Sequence, residues 1–149
     1  MRPSLTVLAT ALAALALGAC GENAEEEYRE EFPRVSRALV QLGQQVGPAI
    51  GRAGESSDEQ LADDFAGYAQ RVGDLQQELD ELEPPDDLAE EQDGLVSAMG
   101  EVQGSLERIA GAAEQGDPDA ARQATLGLIQ SSEELRAARL ELVKAVRDL

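Results

Sequence analysis

Four stretches of this chain carry an apolar residue at every third or fourth position, and short turn signals divide them; none shows the strict alternation of a half-buried strand. That period commits each stretch to a helix with one apolar face, which has to be buried against other helices. The first stripe is Tyr28, Phe32, Val35, Leu39, Leu42, Val46 and Ile50. The second, Leu61, Phe65, Tyr68, Val72, Leu75, Leu79 and Leu82, alternates steps of four and three without a break and is the most coiled-coil-like run. The third keeps the same frame through Leu88, Gln92, Leu95, Met99, Val102, Leu106, Ile109 and Ala113, with Gln92 its polar member. The fourth runs through Ala121, Ala124, Leu128, Ser131, Leu135, Ala138, Leu142, Ala145 and Leu149.

Capping chemistry marks the boundaries. Asn23 with Glu26 opens the first segment, and Gly47-Pro48 followed by the glycines at 51 and 54 weakens and ends it. Ser57 with Gln60 is a capping box for the second, which Pro84-Pro85 stops. The third runs from about Pro85 to Glu114, and Gly116-Asp117-Pro118 supplies a C-terminal glycine, an N-cap and a first-turn proline in succession. Pro33 leaves two readings open: the first helix kinks there, or residues 20–32 form an acidic stalk and the bundle occupies 33–149. Short connections make neighbouring helices antiparallel. The expected fold is all-α, an up-down-up-down four-helix bundle about 40 Å tall, with a three-helix bundle carrying a long N-terminal arm as the alternative.

Composition narrows the chemistry. The chain has no histidine and one cysteine, which removes histidine-based triads, the usual zinc and haem sites, and CxxC motifs. No phosphate-binding glycine loop or nucleophile elbow occurs either, so neither a catalytic residue nor a cofactor is assigned. Twelve basic against 30 acidic side chains give a formal charge of −18. Such a polyanion is repelled by nucleic-acid phosphates and by anionic lipid headgroups alike.

The first 20 residues have the layout of an export signal: Arg2, an apolar stretch from Leu5 to Leu17, then small residues before Cys20. A stretch of about 13 residues falls short of the roughly 20 that a transmembrane helix needs. Leu17-Gly18-Ala19-Cys20 resembles the lipobox of bacterial lipoproteins. The resemblance covers positions 1–20 and implies removal of residues 1–19, a diacylglyceryl thioether on Cys20, and acylation of the new amino terminus, commonly with palmitate. Two or three chains anchor stably where one is marginal. Without Arg2 the mature chain has 11 basic and 30 acidic groups, a charge of −19. The resemblance places the protein outside the cytoplasm, on the outer face of the cytoplasmic membrane. In a diderm, Gly21 is not the aspartate that marks inner-membrane retention, which points to the outer membrane.

Four features compete for a functional role. The acids from Asp80 to Asp93 suggest a cation site, but a helix spreads them over several faces, and antiparallel packing brings Arg136, Arg139, Lys144 and Arg147 near them. Glycines 94, 100, 104 and 111 in the third segment suggest close helix approach. Gln92 and Ser131, both on core stripes, are candidates to bond each other. Leu126, Ile129, Leu140 and Val143 lie off the main stripe of the fourth helix and form a candidate partner face, unless the monomer buries them. The leading expectation is a non-catalytic, lipid-anchored protein-interaction or structural module of the envelope. A small-ligand or divalent-cation binder using a gap between helices is the alternative.

Overall fold

The structure, a computed structural model, describes residues 19–149, with side chains from residue 24 onward. Its four helices are α1 (Ala19–Gly51), α2 (Asp58–Asp80), α3 (Ala89–Glu114) and α4 (Pro118–Asp148), with single 3₁₀ turns at Ala53–Glu55 and Asp86–Leu88. They form an all-α four-helix bundle in which α2 and α4 each pack against both α1 and α3, and α1 and α3 stand on the diagonal.

The caps work as their residue types dictate. Ser57 Oγ accepts from the Gln60 amide at 3.2 Å, and Asp117 Oδ1 accepts from the amides of Asp119 and Ala120 at 3.1 and 3.0 Å. Gly116 takes φ +61°, which lets the Asp117 amide reach back to the Ala112 carbonyl at 2.9 Å and closes α3. The start of α1 differs from the sequence expectation, whereas its end at Gly51 falls among the expected glycines. Asn23 lies inside α1 rather than at its start, and α1 continues unbroken through both Pro33 and Pro48. Each proline removes one helical hydrogen bond, but buried residues flank both: Phe32 and Val35 around the first, Ala49 after the second. Burial of the stripe therefore outweighs the local breakers, and Tyr28 and Phe32, ahead of Pro33, belong to the core.

α3 is the central helix. Every member of its expected stripe is buried, together with Ala98, Ser105, Ala110 and Ala112. α3 approaches α2 and α4 more closely than α1 approaches its own neighbours. The small buried residues responsible are alanines and serines: Ala62 and Ala69 on α2, Ala98 and Ser105 on α3, Ala124 and Ser131 on α4. The α3 glycines have no such role, because a Cβ added at Gly94, Gly100 or Gly104 meets nothing within 4 Å.

Gln92 and Ser131 do not pair. The Tyr28 hydroxyl donates to Gln92 Oε1 at 2.7 Å, and Gln92 Nε2 donates to the Leu82 carbonyl at 3.2 Å, joining α1, α3 and the end of α2. Ser131 lies instead opposite Ser105, at 3.5 Å between hydroxyls, and also donates to the Leu128 carbonyl at 3.3 Å. That register sets Ser131 about half the length of α3 away from Gln92. Among the described residues no buried side-chain nitrogen or oxygen lacks a partner.

Candidate functional site

The flank of α1 that faces α4 carries Ser36, Val40, Gly43, Gly47 and Ile50, three or four positions apart. At its upper end the seam is closed: Arg139 Nη1 donates to Ser36 Oγ at 3.1 Å, which fixes the antiparallel register of α1 against α4. From there towards Gly51 the seam holds a cleft of about 490 Å³. Leu39, Val40, Val46 and Ile50 of α1 and Leu128, Ile129 and Leu135 of α4 form its walls, and Val102 of α3 reaches it from below.

The cleft exists because two seam positions have no side chain. Gly43 and Gly47 both line it, and a Cβ built on either meets nothing within 4 Å. Each costs the helix interior about 1 kcal/mol relative to alanine. Gly47 precedes Pro48, where a β-carbon disfavours helical geometry, so a local reason exists for that glycine. Gly43 has no comparable local reason.

The polar lining is confined to Ser132, Glu133, Arg136 and Arg139, all from α4. The register set by Ser36 and Arg139 puts both arginines at the Leu39 and Val40 end and leaves the Ile50 end apolar. The ion pairs among the described residues are Arg29–Glu25, Arg34–Glu31, Arg34–Glu78 and Arg122–Asp119. Arg136 and Arg139 therefore have no carboxylate within ion-pair distance among those residues. Two guanidinium groups and one carboxylate leave the mouth locally cationic in a chain of charge −18.

The residues singled out from sequence fall in different places. Leu17 and Gly18 lie outside the described residues, and Ala19 and Cys20 are the first two residues of α1. Of the α4 face, Leu126, Ile129 and Leu140 are 65%, 55% and 48% exposed, whereas Val143 is half-buried and packs against the core. Ile129 belongs to the cleft; Leu126 and Leu140 lie outside it. Glu133 and Arg136 stand between Ile129 and Leu140 along the helix, so the three exposed residues are not one continuous apolar surface. Leu39, Val46 and Ile50 of the α1 wall belong to the first apolar stripe, but the open space beside them does not follow from it. The sequence signal of that space is Gly43 and Gly47 on the flank of an otherwise regular stripe, where helical propensity alone marks them only as weakening residues.

The acidic segment around Pro84-Pro85 makes no ion pair with α4 among the described residues, and no group of three or more potential ligands there could hold a metal ion. A smaller polar cleft of about 250 Å³, lined by Glu27, Tyr28, Glu81, Leu82 and Glu83, marks that end of the bundle. The aromatic residues form two separate pairs, Tyr28 stacked on Phe32 with centroids 5.7 Å apart and Phe65 edge-on to Tyr68 at 5.9 Å. They build no shared cage. Burial pushes the Tyr28 hydroxyl well above the usual tyrosine range.

Among the described residues no helix is long and apolar enough to cross a membrane. The chain matches no family model, no curated protein and no solved structure.

Proposed function

We propose that this protein is a lipid-anchored, non-catalytic binding protein of the cell envelope, tethered through Cys20, whose α1/α4 cleft takes an apolar small molecule. The cleft carries the reading: its volume of about 490 Å³ lies within the roughly 300–1,000 Å³ of small-molecule sites. Its lining is likewise that of such sites, apolar walls with a few polar groups gathered at one place. The tether rests on the likeness of residues 17–20 to a lipobox. Anchored there, the bundle stands on the outer face of the cytoplasmic membrane, or on the outer membrane of a diderm.

Two measurements test the reading. Cells fed a tagged palmitate label the wild-type chain but not Cys20→Ala, and the variant leaves the membrane fraction; equal labelling of both refutes the tether. A diazirine-bearing alkanol, offered to the mature protein reconstituted in nanodiscs, crosslinks saturably to cleft residues of α1 and α4, as mapped by mass spectrometry. Absence of saturable crosslinks there refutes the site. Leu39 lies 19 residues beyond Cys20, about 28 Å along the helix, so capture from within the bilayer is separable from capture in the cleft.

A second use, docking of a protein partner on α4 as expected from sequence, keeps Leu126 and Leu140 as exposed apolar contacts outside the cleft, about 21 Å apart along the helix rather than one patch. In-cell photo-crosslinking from those two positions, with Cys20→Ala as the unanchored control, yields one stoichiometric partner if that use is real. No specific partner at either position removes it.

A further inference from the structure

Resting on the reading of the α1/α4 cleft as a small-molecule site, we propose that its occupant is a single-chain fatty acid, with the tail between α1 and α4 and the carboxylate on Arg136 and Arg139. Three features of the cleft converge on that chemistry.

The first is polarity along its axis. Both arginines sit at one end, level with Leu39 and Val40, and the opposite end, at Ile50 and Leu128, is apolar. A ligand that fills both ends has a charged head and a hydrocarbon body. The second is charge. Guanidinium groups bind carboxylates through paired, charge-assisted hydrogen bonds, and Arg139 is already oriented by Ser36. With Glu133 beside them, the two arginines leave one net positive charge, which suits a monocarboxylate and disfavours a dianionic phosphate head. The third is length. Leu39 to Ile50 spans 11 residues, about 16 Å along α1. One acyl chain reaches about 15 Å, half the roughly 30 Å hydrocarbon thickness of a bilayer. The same reach excludes the protein's own anchor, because Cys20 lies about 28 Å from the near end of the cleft.

The test uses the mature protein in nanodiscs with a fatty acid and an alkanol each carrying a diazirine in the tail, and the plain acid, the plain alkanol and the lysophospholipid lysophosphatidic acid, all of equal chain length, as competitors. Saturable crosslinks map to α1 and α4 cleft residues, and the acid competes about tenfold or more better than the alkanol, the effect of one charge-assisted interaction. Arg136→Gln, at a position with no side-chain hydrogen bond to lose among the described residues, weakens capture of the acid about tenfold and leaves the alkanol unchanged. Arg139→Gln does the same, with its helical circular dichroism and melting checked because it also releases Ser36. Equal competition by alkanol and acid overturns the fatty-acid assignment while the small-molecule site stands. Stronger competition by the lysophospholipid overturns it in favour of a phosphate head. Failure of both diazirine probes to reach the cleft overturns the assignment and the site together.

Discussion

Gly43→Leu tests whether the open space beside α1 is what makes the cleft. Gly43 sits inside α1 on the flank facing α4, and a Cβ there meets nothing within 4 Å. The substitution removes most of the glycine penalty, about 0.8 kcal/mol. The new side chain lies against Leu39, Val46 and Leu128, and burying about half of it adds roughly 1 kcal/mol. The variant is therefore more stable than the wild type by about 1.5–2 kcal/mol, and its Tm is higher by roughly 5 °C for a bundle of this size. Urea unfolding followed by circular dichroism measures the change, with an unchanged m-value showing that the unfolded state is the same. The same side chain fills the cleft, so capture of the apolar probe disappears. A stabilised variant that no longer binds cannot be dismissed as misfolded. Neutral or lowered stability refutes the reasoning, since it means that the space beside Gly43 is occupied or closed in the folded protein.

Tyr28→Phe leaves Gln92 Oε1 buried without its donor and costs about 1–3 kcal/mol in urea unfolding, whereas adding Gln92→Leu recovers part of that loss. Because burial raises the Tyr28 pKa, the unfolded chain loses this proton first as pH climbs past about 10. Wild-type stability therefore falls above that pH, and a pH series of unfolding curves finds the fall reduced in Tyr28→Phe. Leu106→Ala, at a fully buried position, costs about 2–5 kcal/mol, while Leu126→Ala, 65% exposed, changes stability by less than about 0.5 kcal/mol in the same assay. Asp117→Ala removes the acceptor for two α4 amides and costs about 1 kcal/mol, read as a shift in the urea midpoint.

The helices were legible because their signals are local and redundant. The apolar period of α3 predicted its buried face residue by residue, and the Ser57 and Gly116-Asp117-Pro118 punctuation marked real ends. Asn23 misled and Pro33 left two readings open because capping and breaking preferences are worth about a kilocalorie to a few, and the burial of Tyr28, Phe32 and Val35 on both sides of the proline exceeds that. The polar partners were missed for a different reason. Gln92 could be placed on the core face from its spacing alone, but its partner depends on the vertical offset between helices, which the heptad leaves undetermined; Tyr28, 64 positions away, occupies that place. The cleft was the least legible feature. It is a deficit, two absent side chains on α1 opposite α4, and an apolar period carries no mark of side chains that are absent.

The seam at which the cleft lies follows from how such a bundle closes. α2, α3 and α4 are held in sequence by short connections, and their alanine- and serine-lined interfaces bring them close. α1 meets α4 only through contacts separated by about a hundred positions, such as Ser36 with Arg139. Contacts of that kind carry the largest loop-closure cost in the bundle, so this seam depends most on side-chain fit. Large buried residues, Tyr28, Phe32, Leu39 and Leu42, secure the inner face of α1, and Gly43 and Gly47 leave its α4 flank open. The protein can therefore hold an apolar space at this seam without opening the α2/α3/α4 interfaces that carry most of its close packing. A ligand bound there, as proposed, would cover the walls of α1 and α4 that the fold leaves open, and by mass action would stabilise the folded state at the seam the chain itself packs most loosely.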